Sequence, residues 1–249
     1  MPTPTSRAVP SSAAPIPAGV SRCGGAALSL GRADWPFARE HAGAIDAYWQ
    51  AEAAKNARYF NGRVHVLADG GITDGVLTGE LVACDFKSFL YWRAHPALDS
   101  GILDAFGSAI VITADNAVML GVQVAGQLNS GLAYPPGGLT DPRDVDGDGH
   151  IDIGLSAARE LTEETGLTAA DVTRQPGLVM TSYGHQLSIG VVFRTRLTAG
   201  ELGPRIADFL ARDPHPELAR VVFVRAIADA QRIATPAFVE PLLRHLLPA

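Results

Sequence analysis

The apolar residues of this chain come in short runs that polar or glycine residues interrupt, and no run approaches the ~18 residues of a membrane-spanning helix. The chain has 249 residues, of which 47% are hydrophobic and 18% charged, so it can still bury a large core. These features exclude a disordered tail, a coiled coil and a membrane span. The sequence therefore predicts a globular protein with no membrane partner.

Charge and cysteine content narrow the class further. The net charge is −6, and the basic residues form no run along the chain. The sequence therefore predicts that the protein does not coat nucleic acid. Only Cys23 and Cys84 occur, too few for a disulfide scaffold and too isolated for a zinc site. A reducing compartment is the default for such a chain, and we expect it to be cytoplasmic.

Turn residues and apolar periodicity divide the chain into three parts. Residues 1–30 begin with closely spaced prolines and are predicted to be a flexible tail. Residues 31–104 are predicted to form a small α+β lobe, and residues 105–249 the main domain. In the lobe we expect helices over 35–57 and 86–93, with short strands between them that turn at Asn61-Gly62 and Gly70-Gly71.

The main domain alternates strand and helix signals, which indicates an α/β or α+β fold. Its helix over Ser156–Thr165 is followed by Gly166, a residue suited to the left-handed stop position. The other predicted elements are a hairpin over 109–124 that turns at Asp115-Asn116, strands over 187–197 and 218–224, and a last helix that opens at Thr235-Pro236.

Three carboxylates lie on one side of the Ser156–Thr165 helix. Glu160, Glu163 and Glu164 are separated by three and four positions, so their side chains are neighbours on the helix surface. Left alone, each like-charged pair would cost the helix ~0.2–0.5 kcal/mol. A hard divalent cation would reverse that loss, and oxygen ligands suit Mg²⁺ or Mn²⁺. The bland alternative is an ordinary solvated helix face.

The segment Arg159-Glu160-Leu161-Thr162-Glu163-Glu164-Thr165-Gly166-Leu167, preceded by Pro135-Pro136-Gly137-Gly138, resembles the Nudix box. That box is the signature of hydrolases that cleave a nucleoside diphosphate linked to another group. The resemblance extends over residues 105–249. It implies a Nudix α/β/α sandwich behind the small N-terminal lobe.

The resemblance also implies roles for individual residues. Glu160, Glu163 and Glu164, with the backbone of Gly138, would hold the divalent metal, and Arg159 would orient the glutamates through a salt bridge. Nudix enzymes often take the base that activates water from a loop outside the box, and Glu217 lies where such a loop is expected. Glu163 is an alternative base, and Glu217 is equally well explained as a surface residue.

The first half of the box departs from the family pattern by an insertion of seven residues between Gly138 and Arg159. Counted back from Arg159, the first glutamate of the pattern falls on Ile151. The inserted stretch matches the start of a calcium loop, and Leu155 replaces its last carboxylate. A Ca²⁺ site is one interpretation, and an acidic loop whose Asp152 caps the helix is the other. The calcium ligands would be Asp144, Asp146, Asp148 and Asp152.

The expected partner is a small-molecule nucleotide, with assembly into a homodimer left open. The N-terminal lobe is distantly similar to that of Nudix enzymes that hydrolyse the nucleotide sugar UDP-glucose. ADP-ribose, NADH and dinucleoside polyphosphates remain alternatives, as does a non-catalytic, calcium-responsive nucleotide-binding module. His185 is a candidate contact for phosphate or sugar. The candidate stacking platforms for a base are Phe60, Trp92, Tyr134 and Tyr183.

Overall fold

A computed structural model describes residues 13–99 and 101–248. Its strands are β1 (Gly19–Cys23), β2 (Gly25–Leu30), β3 (Arg63–Thr73), β4 (Val76–Asp85), β5 (Asp104–Ile112), β6 (Val118–Gln123), β7 (Ala133–Tyr134), β8 (Gly137–Leu139), β9 (His150–Ile151), β10 (Val172–Tyr183), β11 (Gln186–Thr195) and β12 (Leu218–Val224). The helices are α1 (Pro36–Glu40), α2 (Ala42–Lys55), α3 (Phe86–Ala94), α4 (Ile153–Thr165), α5 (Ala199–Leu210), α6 (Ile227–Ala230) and α7 (Val239–Leu246).

The strands form two sheets. The larger has the order β1-β10-β11-β5-β6-β12, with β7 beside β6 and β8 beside β5, and its β11 and β5 are parallel. The smaller has the order β3-β4-β2-β9. Within residues 13–99 and 101–248, no helix is long and apolar enough to cross a membrane.

Alternation along the central strand β5 explains the layers. Ala109 and Val111 face the core that contains Leu161 of α4, whereas Ile110 and Ile112 face the core that contains Leu242 of α7. The large sheet is therefore covered by α4 and α5 on one face and by α7 on the other. This arrangement confirms the α/β/α sandwich.

The small sheet also divides two cores. Leu77 and Leu81 of β4 join the core beneath α4, while Val82 and Cys84 point the other way, into a core with Phe89 and other residues of α1–α3. The N-terminal α+β part consequently shares a core with the large sheet.

The prediction of a flexible tail is wrong for residues 19–30. These residues form β1, which pairs with β10, and β2, which runs between β4 and β9. Their glycine, serine and alanine content carries little local strand signal, and their backbone groups are satisfied only by partners far along the chain. Residues 1–12 of the predicted tail lie outside the described residues.

Several predicted elements are confirmed and others need correction. The Asp115-Asn116 turn is present, with Asn116 at φ +58°. The Gly70-Gly71 turn is wrong, since both glycines lie inside β3 and the chain reverses at Asp74-Gly75. The predicted first helix is interrupted at His41, and the last helix begins at Val239, three residues after Pro236.

Candidate active site

The helix α4, which carries the glutamates, has a capping residue at each end. Asp152 Oδ1 accepts hydrogen bonds from the backbone N–H groups of Gly154 (2.8 Å) and Leu155 (3.1 Å), which caps the start. At the other end Gly166 takes the left-handed conformation, φ +72°, as the sequence predicts. The helix therefore keeps one register against the large sheet.

Two adjacent glycines of β8 permit close approaches, Gly137 to strand β5 and Gly138 to Glu160 of α4. A Cβ on Gly137 would lie 2.2 Å from the carbonyl oxygen of Gly107, and one on Gly138 would lie 3.0 Å from the carboxylate atoms of Glu160. A side chain at either position would force the strands or the glutamate aside. The backbone of Gly138 is thus next to Glu160, as the resemblance implies.

Glu160 and Glu164 are buried carboxylates. Burial is the main cause that raises the pKa of Glu160 to about 7; Arg159 opposes this shift, and the charge of Glu163 adds to it. Glu164 is only 3% exposed, and burial raises its pKa well above the usual range, with Glu160 adding to the effect. Its Oε2 atom has no hydrogen-bond partner in the described part of the chain. A buried, unpartnered carboxylate oxygen is costly unless something else satisfies it.

Glu163 is placed differently. It is about half exposed, and its carboxylate contacts Arg143 Nη1 at 3.2 Å and Arg159 Nη1 at 3.0 Å. Among residues 13–99 and 101–248, no three His, Cys, Asp or Glu side chains stand close enough to hold a metal ion. Two arginines hold Glu163 in the arrangement seen here, and the shared metal-binding role of the three glutamates stays a prediction.

Arg159 connects the helix to the loop before it. Its guanidinium contacts Glu160 Oε1 at 2.8 Å, Glu163 Oε2 at 3.0 Å and Asp144 Oδ1 at 3.0 Å. Asp144 is almost fully buried and also accepts a hydrogen bond from the Asp141 backbone N–H. Arg159 thus holds two of the glutamates, as the resemblance implies, and is itself held by Asp144.

The position of Asp144 corrects the alignment of the insertion. Asp144 follows Gly138 after five residues, which is where the Nudix pattern has its first glutamate. Ile151, the position found by counting back from Arg159, is buried in β9 and pairs with Leu28. The seven inserted residues therefore lie between Asp144 and Arg159. Asp144, and not Ile151, stands at the position of the first glutamate of the pattern.

The calcium interpretation of the inserted loop gains no support. Asp144 is engaged by Arg159, and Asp152 caps α4, which confirms the capping alternative. Asp146 Oδ1 accepts from the backbone N–H groups of Asp148 and His150, both at 2.9 Å, in a local turn. These carboxylates satisfy separate partners and form no shared ligand cage within the described ranges.

Glu217 lies at the edge of the same region, one residue before β12. Partial removal from water raises its pKa, the charge of Glu163 adds to this, and Arg58 opposes it. Its charge in turn raises the pKa values of Glu160 and Glu164. The structure therefore brings Glu217 near the glutamates of α4, as the loop argument expects.

A cleft of about 1000 Å³ opens beside this acidic group, between the small sheet and the loops of the large one. Sequence reasoning named Phe60 and Glu217 but missed the arginines, which carry no motif and become neighbours only through folding. Its lining includes Arg58, Phe60, Gly62, Arg63, Asp141, Arg143 and Glu217.

The predicted stacking platforms separate by burial. Trp92 and Tyr134 are buried in the core, so their assignment as platforms is wrong. Phe60 and Tyr183 are exposed. His185 sits edge-on to Trp92, with ring centroids 5.3 Å apart, and its backbone oxygen accepts a hydrogen bond from the Asp104 N–H.

Comparison with known proteins finds that this chain is similar in structure to solved Nudix hydrolases. No family model matches the sequence, and no curated protein matches it. RenU, a Nudix hydrolase from M. smegmatis, is 15% identical, with a TM-score of 0.38 over 57% of this chain and 81% of that chain. The MutT protein from Methanosarcina mazei Go1 is 17% identical, with a TM-score of 0.40 over 58% and 92%. The C. elegans Ap4A hydrolase is 16% identical, with a TM-score of 0.39 over 57% and 93%.

Proposed function

We propose that this protein is a divalent-metal-dependent hydrolase that cleaves the diphosphate of a nucleoside diphosphate linked to another group. The observation that carries the proposal is the pair of buried carboxylates, Glu160 and Glu164, packed beside Gly138 with one carboxylate oxygen unpartnered. This pair lies within the segment that resembles the Nudix box.

The donor set fits a hard cation. Two anionic side chains with raised pKa values lie close together in a setting that disfavours their charged forms, and a cation would remove that penalty. Oxygen-only ligands suit Mg²⁺ or Mn²⁺. We assign Glu160, Glu164 and the Gly138 backbone as ligands, with Glu163 joining them by leaving Arg143.

A bound divalent cation at this position would neutralise charge on the diphosphate and lower the pKa of a water molecule. Arg159 holds the carboxylates of Glu160 and Glu163 in place. Glu217 and Glu163 are the two candidates for taking the proton from water. Glu217 lines the cleft, and Glu163 contacts Arg143 of the cleft lining. Arg143, on the cleft wall, is placed to contact an anionic substrate.

The test is a panel of UDP-glucose, ADP-ribose, NADH and dinucleoside polyphosphates, incubated with Mg²⁺ or Mn²⁺ and assayed for the two phosphate-ester products. We expect hydrolysis that EDTA abolishes and added metal restores. Glu164→Gln should be inactive, and Glu40→Gln, at an exposed glutamate on α1, should behave as wild type. If no compound is hydrolysed with either metal, the protein is instead a nucleotide-binding module.

A further inference from the structure

The cleft beside the acidic site is built from both halves of the chain. Arg58, Phe60, Gly62 and Phe86 come from the small-sheet part, while Leu139 comes from β8 and Glu217 from a loop beside the large sheet. Hydrogen bonds fix this junction, since Asn56 Nδ2 donates to the Gly126 oxygen at 2.6 Å. The position of residues 58–63 relative to Glu217 is therefore set by the fold.

Phe60 is the most exposed large apolar residue on the described surface, with 77% of its area accessible. Its ring lies over Gly62, where a Cβ would come within 2.6 Å of Phe60 Cζ. The glycine leaves room for the distal end of the ring, and the Phe60 side chain stays largely open to solvent in the cleft lining. An aromatic face held in this way can stack on a planar base.

Arg58 supplies a positive charge in the same cleft lining, where it also acts on the charge of Glu217. It forms no ion pair with any residue that the structure describes, and its Nη1 reaches only the Pro216 oxygen at 3.4 Å. A Cβ at Gly126 would touch its Cδ at 3.1 Å, so its stem packs on that glycine. By contrast, Arg63 is paired with Asp85 at 3.2 Å. An unpaired guanidinium beside a cleft suits a phosphate group.

We propose that residues 58–63 are the nucleotide-recognition segment, in which the base of a nucleoside diphosphate derivative stacks on Phe60 and Arg58 binds its phosphate. This inference deepens the proposed hydrolase function and rests on it. It selects substrates for a planar base, so phosphate esters that lack one should be poor ligands. A second cleft, of about 940 Å³ and lined in part by Arg159, has no Phe, Tyr or Trp among its described lining residues.

The proposal is tested by calorimetric titration of the full chain with UDP, ADP and inorganic pyrophosphate in Mg²⁺, with ligand integrity checked afterwards. Phe60→Ala should weaken binding of UDP or ADP about tenfold or more and leave pyrophosphate binding unchanged, because one base stack is lost. Phe60→Tyr should restore binding. Arg58→Gln should weaken both nucleotide and pyrophosphate.

Leu98→Ala is the control, because Leu98 is an exposed large apolar residue outside the cleft lining. It should bind all three ligands as wild type does. Equal nucleotide affinity in Phe60→Ala and wild type, or no binding of either nucleotide to wild type, overturns the proposal.

Failure of this inference and failure of the hydrolase function give different results. Nucleotide binding through Phe60 without turnover of any panel compound upholds the recognition segment and overturns the hydrolase. Metal-dependent hydrolysis with the same KM in Phe60→Ala and wild type upholds the hydrolase and overturns the recognition segment.

Discussion

Two buried carboxyl groups, Glu164 and Asp104, each keep an oxygen without a hydrogen-bond partner among the described residues. Glu164 lies beside Glu160, another acid, whereas Asp104 lies 3.9 Å from Arg93 Nε. Burial favours the protonated form of both groups. Their settings nevertheless lead to different expectations for substitution.

Replacement of the buried glutamates should separate turnover from stability. Glu160→Gln and Glu164→Gln each remove an anionic ligand, so we expect turnover at saturating Mg²⁺ to fall by about 100-fold or more. The metal-free Glu164→Gln variant should melt no earlier than wild type, because burial disfavours a charged carboxylate at this position and the amide carries no charge. The measurements are kcat and the metal-free melting temperature. Variants that melt early yet keep wild-type turnover would show that the glutamates are structural.

Asp104 should make stability depend on pH. Burial raises its pKa from 3.8 to about 6. Between these values the folded chain keeps a proton that the unfolded chain releases, so the group's contribution is fully present below this window and lost as pH rises through it. Asp104→Asn should remove about 2–3 kcal/mol of that dependence. Urea unfolding across the window measures it.

The control for this effect is Asp208→Asn, which removes an exposed carboxylate of α5. Its curve of unfolding free energy against pH should follow wild type. If the Asp104→Asn curve also follows wild type, the pKa of Asp104 is not raised in the folded protein.

Among the elements, α4 and the loop before it act together. Asp144 ends a short 3-10 turn over Pro142–Asp144 and meets Arg159 of the helix. Asp152 then caps the same helix after the inserted turn. The insertion therefore lengthens the loop without moving the acid that holds Arg159.

Asp144→Asn should lower turnover or metal affinity by about 10- to 100-fold, because Arg159 loses the charge that orients it toward the glutamates. Kinetics measured across a Mg²⁺ titration give both quantities. Asp146→Asn changes the same loop away from Arg159 and should have a small effect. Equal losses in both variants would mean that loop structure alone matters.

At the scale of the whole molecule, the segment 19–30 joins the two sheets. Its β1 belongs to the large sheet and its β2 to the small one, where Leu28 faces the shared core with Leu81 and Leu161. The inserted loop contributes β9 to the same small sheet. The first strands of the chain are therefore part of the core that supports α4.

Leu28→Ala should destabilise the protein by about 2–5 kcal/mol, because it removes a 1% exposed side chain from this core. Leu155→Ala, at a 68% exposed leucine on α4, is the control and should change stability by no more than about 0.5 kcal/mol. Denaturant unfolding measures both. An unchanged unfolding free energy in Leu28→Ala would mean that residues 19–30 do not pack in the core.

Local sequence signals were sufficient to predict some elements of the structure. Asp152 and Gly166 mark the limits of α4, Asn116 marks a hairpin turn, and the spacing of Glu160 and Glu164 places them on one side of a helix. Caps, turns and helical spacing involve residues a few positions apart, so their physics can be read from the sequence alone.

Tertiary structure decided the rest, since burial and pairing depend on residues far away in the chain. In the folded chain Glu164 is buried, Glu163 is paired with two arginines, and Phe60 is exposed at a cleft. Tertiary structure also converted residues 19–30 from an expected tail into strands and brought Asp144 to Arg159 across the insertion. No local pattern carries these outcomes, because each one is set by which distant surfaces exclude water together.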